Sequence, residues 1–121
     1  MNARISSYIL ALIFFASGGA KLLSLPFEVD AFLRWGYPIE FMYFTGIVEI
    51  IGAFGLLIPR LSSLSSLCLG GLMLGAIGTH LVHNEWLMLA VASFIAVAAF
   101  WRAWSGREEI NQLKKVFGLN N

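Results

Sequence analysis

Four apolar runs with almost nothing between them constrain this chain more than any motif does. Residues 5–20, 50–59, 61–84 and 86–101 contain no Asp, Glu, Lys or Arg. A helix needs about 20 mainly apolar residues to cross the hydrocarbon core of a bilayer. In lipid, every backbone polar group must find its partner inside the segment, so such runs read as helices. The expected spans are about 5–25, 39–58, 61–82 and 86–104. Pro59-Arg60 and His83-Asn84-Glu85 are too short for anything but tight antiparallel turns. The expected fold class is therefore all-α: an integral membrane antiparallel four-helix bundle.

Composition agrees. Of 121 residues, 59% are hydrophobic and only 12% charged, about half the charged fraction of a soluble domain. The net charge of +1 argues against nucleic acid as a partner; the lipid bilayer is the expected one. Cys68 is the single cysteine, which excludes an internal disulfide, and its apolar run predicts a buried, inert thiol. Arg4, the apolar stretch after it and Ala16-Ser17-Gly18-Gly19-Ala20 mimic a cleavable signal peptide. Lys21 fits better inside a bundle, so the first helix is kept.

The basic residues set an expected orientation. With the N-terminus inside, Arg4, Arg60, Arg102, Arg107, Lys114 and Lys115 are cytoplasmic, and only Lys21 and Arg34 lie towards the outside. Trp35, Tyr37, Tyr43 and Trp86 then fall at the outer boundary, with Tyr8, Trp101 and Trp104 at the inner one. The loop Phe27–Trp35 alternates apolar and charged residues at helical spacing, which predicts a short interfacial helix over the outer end. Two units are expected: a four-helix domain, 1–104, and a cytoplasmic tail, 105–121. The tail places Ile110, Leu113 and Phe117 on one face, as an amphipathic helix would, with a frayed end as the alternative.

Glu49 is the most informative residue. A carboxylate near the middle of a spanning helix costs a few kcal/mol unless it faces the interior. Thr45, Gly46, Gly52 and Ala53 share its face and are small; Ile47, Ile50, Ile51, Phe54 and Ile58 form the bulky face suited to lipid. Lys21, on a face with Ser17 and Gly18, is the expected ion-pair partner, with snorkelling towards the headgroups as the alternative. His80 and His83 stand one turn apart. Two such ligands fall short of the four that structural zinc wants, so polar closure of the cavity's outer end is expected, with His80 joining Lys21 and Glu49. Gly71, Gly75 and Thr79 recur every four residues, as do Ala92, Ala96, Ala99 and Ala103, a helix-packing stripe or an oligomer interface. The fourth helix reads as packing alone. No catalytic set, nucleotide loop or cofactor motif stands out, so an enzyme is not the expected reading.

Several segments together resemble the DoxX-like membrane proteins. They are Phe15–Leu22, Phe32–Pro38, Gly46–Gly52, Leu56–Arg60, Gly75-Ala76 and Thr79-His80-Leu81, in the family's order and spacing over roughly residues 8–100. The resemblance implies a four-helix membrane bundle; a bacterial inner (plasma) membrane is the expected location, with both termini cytoplasmic as the basic residues indicate. It also maps the family's recurring Lys, Glu and His onto Lys21, Glu49 and His80. Some relatives are subunits of a thiosulfate–quinone oxidoreductase or partners in oxidative-stress complexes; a more distant branch resembles the chaperone of nicotinic-receptor assembly. Three functions follow as expectations. The first is a non-enzymatic accessory or assembly subunit, docked on a membrane-protein partner or a second copy. The second is a binding module for a quinone or other lipophilic ligand, and the third a proton-coupled small transporter. Against all three stands a structural role, in which Lys21, Glu49 and His80 pin the helices in register.

Overall fold

The structure, a computed structural model, describes residues 2–118. Residues 1 and 119–121, at the far ends of the two expected units, lie outside the described residues. Six helices follow one another: α1 (Ala3–Leu22), α2 (Pro26–Trp35), α3 (Ile39–Leu57), α4 (Ser62–Val82), α5 (Trp86–Ser105) and α6 (Arg107–Val116). Four of them, α1, α3, α4 and α5, are long and apolar enough to cross a membrane. Their outward faces carry large apolar side chains such as Leu12, Ile51, Leu87 and Phe94. A soluble monomer does not expose so much apolar surface. This is a multi-pass membrane bundle.

Punctuation in the sequence sets the helix ends. The Asn2 side chain accepts a hydrogen bond from the Arg4 amide at 2.7 Å and so caps α1. The same helix ends at Leu22, three residues earlier than its hydropathy suggests. Pro26 disfavours helical backbone at Leu25, which is extended, and Ser24 turns through the left-handed region at φ 53°. Pro26 then opens α2 at its first position, and Gly36, at φ 83°, closes it in the left-handed region that glycine adopts freely.

Neighbours around the ring are α1–α3–α4–α5 and back to α1, each antiparallel to the next. Two close pairs, α1/α3 and α4/α5, make up the bundle. In α1/α3 the backbones touch: a Cβ on Gly18 would stand 2.8 Å from the Gly46 carbonyl oxygen, and one on Gly46 would stand 3.1 Å from that of Gly18. In lipid, where apolar surface gains nothing by leaving solvent, such close approach is what holds helices together. Gly18→Ala is accordingly expected to destabilise the bundle by about 1–3 kcal/mol, since backbone rather than a flexible side chain must give way. Gly71→Ala, at a position with nothing within 4 Å, should change little. Unfolding of the two variants in mixed micelles compares them directly.

Gly52 also packs closely, against Leu69. The stripe expected at Gly71 and Gly75 needs correcting, because neither position meets a neighbour within 4 Å. The close-packing glycine of α4 is Gly70, which lies against the Phe100 ring of α5. Cys68 is exposed on the outer face of α4 instead of buried. The core of Leu10, Phe14, Ala53, Leu56, Leu69 and Ala96 fills the bundle towards the end where α1 begins and α3 ends. At that end Arg102 is buried and binds three elements: Nε donates to Ser7 Oγ at 2.6 Å, Nη1 to Ser63 Oγ at 2.8 Å and Nη2 to Glu109 at 3.2 Å. The last contact ties the amphipathic α6 to the bundle. The expectation that the fourth spanning helix only packs is thus corrected.

Candidate functional site

At the opposite end the two helix pairs part and enclose a cavity of about 670 Å³, covered by α2. Its walls are mostly apolar, with Met73, Met88, Val91 and Ile95 along α4 and α5. Phe32, Trp35, Tyr37 and Phe41 form an aromatic cluster at its α2 side, with ring centroids 5.1–6.2 Å apart.

The polar groups gather at two places on this wall. The Gly18–Gly46 contact draws the next turns of α1 and α3 together, which brings Lys21 against Glu49. Lys21 Nζ lies 2.9 Å from Glu49 Oε1, 2.8 Å from Ser17 Oγ and 3.3 Å from Glu28 Oε2. Ser17 and Glu28 accept hydrogen bonds from the ammonium, and Glu49 pairs with it by charge. Both Lys21 and Glu49 are more than nine-tenths buried. The ion pair between them is off the direction of a hydrogen bond, so Glu49 Oε1 is left without a hydrogen-bond donor among the described residues.

The second group is built on Glu85, in the turn between α4 and α5. Its Oε1 accepts from His80 Nδ1 at 2.8 Å and from Trp35 Nε1 at 3.0 Å, and its Oε2 accepts from Arg34 at 2.7 Å. The His80 bond foremost, with Arg34 and Trp35 behind it, holds the Glu85 carboxyl down at about 2, against an ordinary 4.5. An ionised carboxylate only accepts, so His80 Nδ1 carries a hydrogen and donates it to Glu85. These bonds tie α2 to the α4–α5 turn and carry a pH dependence. Below pH 4.5 the unfolded chain takes up a proton that the folded one refuses. The stabilisation from Glu85 is therefore complete above pH 4.5 and is lost as pH falls towards 2. Glu85→Gln should lower thermal stability at pH 7 and flatten its decline between pH 4.5 and 2. Parallel melting curves for the two proteins across that window would contradict the assignment.

The structure thus brings Lys21, Glu49, His80 and Thr45 to one cavity. Thr45 donates its hydroxyl to the Phe41 carbonyl at 2.8 Å. His83 is not among the lining residues; its Nδ1 lies 2.9 Å from the Thr79 carbonyl oxygen. Gly75 lines the cavity, and Gly46 shapes it from behind. Reading the sequence missed Glu28, Trp35 and Tyr37 as wall residues, and Glu85 as the anchor of His80. Glu28 follows Lys21 by seven residues but across a helix break, and Glu85 is 50 residues from Trp35, so no local spacing announces either contact.

Comparison with known proteins places this arrangement. A family model described as the DoxX-like family matches residues 5–102, which hold all four spanning helices and every residue of the cavity wall. An uncharacterized protein of Bacillus subtilis (strain 168), YdgD, is 29% identical over 93 residues, covering 73% of this chain and 82% of its own length. No solved structure matches the chain. The protein belongs to the DoxX-like family.

Proposed function

We propose that this protein is a membrane binding module that holds a small amphipathic molecule in the cavity between its helix pairs. The observation that carries this reading is a cavity of about 670 Å³ with apolar walls and a few convergent polar groups at one end. Ligand sites span about 300–1,000 Å³ and have this make-up. A quinone-sized ring with a short tail is within that volume. Buried charge within a spanning segment marks a functional site by default. The cavity puts the ligand role ahead of the accessory role that the sequence suggested first. Native mass spectrometry of protein released from its own membranes should show a small-molecule adduct on the unaltered chain and none on Ala76→Phe, which fills the cavity. An adduct-free protein that also takes up no added lipophilic compound would count against the reading.

A second reading, docking on a membrane-protein partner or a second copy, draws support from the outer face of α4. There Gly71 meets nothing within 4 Å and Cys68 is exposed. Because Cys68 is the only cysteine, thiol cross-linking in native membranes probes that face. A discrete cross-linked species is the expected product of docking, and a chain that stays uncoupled contradicts it.

A further inference from the structure

A second cavity, of about 350 Å³, lies at the other end of the bundle, between the start of α1, the α3–α4 turn and Arg102. The cavity beside Glu49 is mostly apolar, whereas this one carries positive charge. Two guanidiniums, Arg4 and Arg102, line it against one carboxylate, Glu109. That carboxylate is already held, by Arg102 Nη2 at 3.2 Å and the Ser63 amide at 3.1 Å. Arg102 is itself buried and fixed by Ser7 and Ser63, so its charge is set in place before any ligand arrives. Arg4 is exposed and takes part in none of the salt bridges among the described residues. The lining therefore carries one net positive charge, centred on Arg4. Asn2 and Tyr8 add polar hydrogens to it. Because Asn2 caps α1 through its Oδ1, its amide nitrogen is the part left to donate.

Depth and surroundings say where an anion would come from. Tyr8, the innermost lining residue of α1, lies about 8 Å along the helix from Ala3. That is about the thickness of the head-group layer beside the hydrocarbon core. Tyr8 and Leu57 line the cavity and are exposed, as are the apolar Ile5, Ile9 and Ile58 close to them in the chain. A polar pocket at head-group depth with apolar flanks matches the two parts of a phospholipid. Basic pockets between spanning helices are known to take anionic head groups.

We infer that this cavity binds a phosphate group with net negative charge, Arg4 supplying the counter-charge and Arg102 the fixed field behind it. A phosphodiester, with its single negative charge, balances the lining once Glu109 is counted. The site is separate from the cavity beside Glu49 and does not depend on what that cavity holds.

The test is native mass spectrometry of the full chain from micelles doped with one phospholipid at a time. Phosphatidylglycerol and phosphatidylcholine of identical chains both hold a phosphodiester, but only the first is a net anion. The chain should retain one phosphatidylglycerol about tenfold more than phosphatidylcholine, the difference that one charge-assisted contact makes. Arg4→Gln should lower that retention about tenfold. Arg60→Gln, at an exposed arginine of the same end outside the lining, should stay within about twofold. Millimolar inorganic phosphate separates the sources. Retention that it leaves unchanged assigns the site to the lipid, and displacement of the lipid by it assigns the site to the free anion. Equal retention of the two lipids by the unaltered chain overturns the inference, whatever the variants do. Equal losses in Arg4→Gln and Arg60→Gln also overturn it, because a basic surface attracting anionic lipid at large would then suffice.

Discussion

Lys21→Met is expected to be the most damaging single substitution in the bundle, lowering its stability by about 3–5 kcal/mol, as breaking a buried ion pair from one side does. The ammonium is the hub of its cluster. Without it, Glu49 and Glu28 face each other across the space it leaves, and Glu49 is 4% exposed. Glu49→Gln should be milder, at about 1–3 kcal/mol, because Lys21 keeps its contacts with Glu28 and Ser17. The double variant Lys21→Met/Glu49→Gln should recover much of the loss of Lys21→Met, since no uncompensated charge then stays on α3. A buried pair replaced as a whole often costs little. Recovery of stability with loss of ligand binding separates the two roles of these residues. Additive losses in the cycle would mean that they do not act as a pair.

Arg102→Leu, at the other end of the bundle, should cost about 2–4 kcal/mol, by removing a guanidinium that satisfies two buried hydroxyls and a carboxylate. Glu109 is 29% exposed at its side chain and can rehydrate, which keeps the loss below that of Lys21→Met. The same change unties α6, so trypsin should cut at Lys114 and Lys115 faster than in the parent. Arg102→Lys should release the tail as well. A single ammonium cannot copy the planar fork that reaches Ser7, Ser63 and Glu109 together. Unchanged cleavage in both variants would show that α6 is held by other means.

How much of this was written locally in the sequence follows from the physics of each contact. The spanning helices were legible because lipid leaves the backbone no alternative. The inward face of Glu49 was legible because small and bulky residues divide cleanly around α3. The pairing of α1 with α3 was foreshadowed by Gly18 and Gly46, yet the choice of Gly70 over Gly71 on α4 was not. Both are glycines, and only the rotation of α4 against Phe100 decides which is covered. Arg102 looked like a positive-inside anchor, because its partners Ser7 and Ser63 are 95 and 39 residues away. The cavity was invisible for a related reason. It exists where two helix pairs separate, and separation is a property of the whole ring.

The separation of the two helix pairs forms an accessible cavity beside the Lys21–Glu49 pair. In a Cys68→Ser background, cysteines at Thr45, on the cavity wall, and at Ala99, fully buried in the bundle, can be exposed to a small membrane-permeant thiosulfonate. Thr45→Cys should be modified readily and protected by a bound lipophilic compound, while Ala99→Cys stays inert. Equal inertness at both positions would mean that the helix pairs close on each other, and would contradict the account.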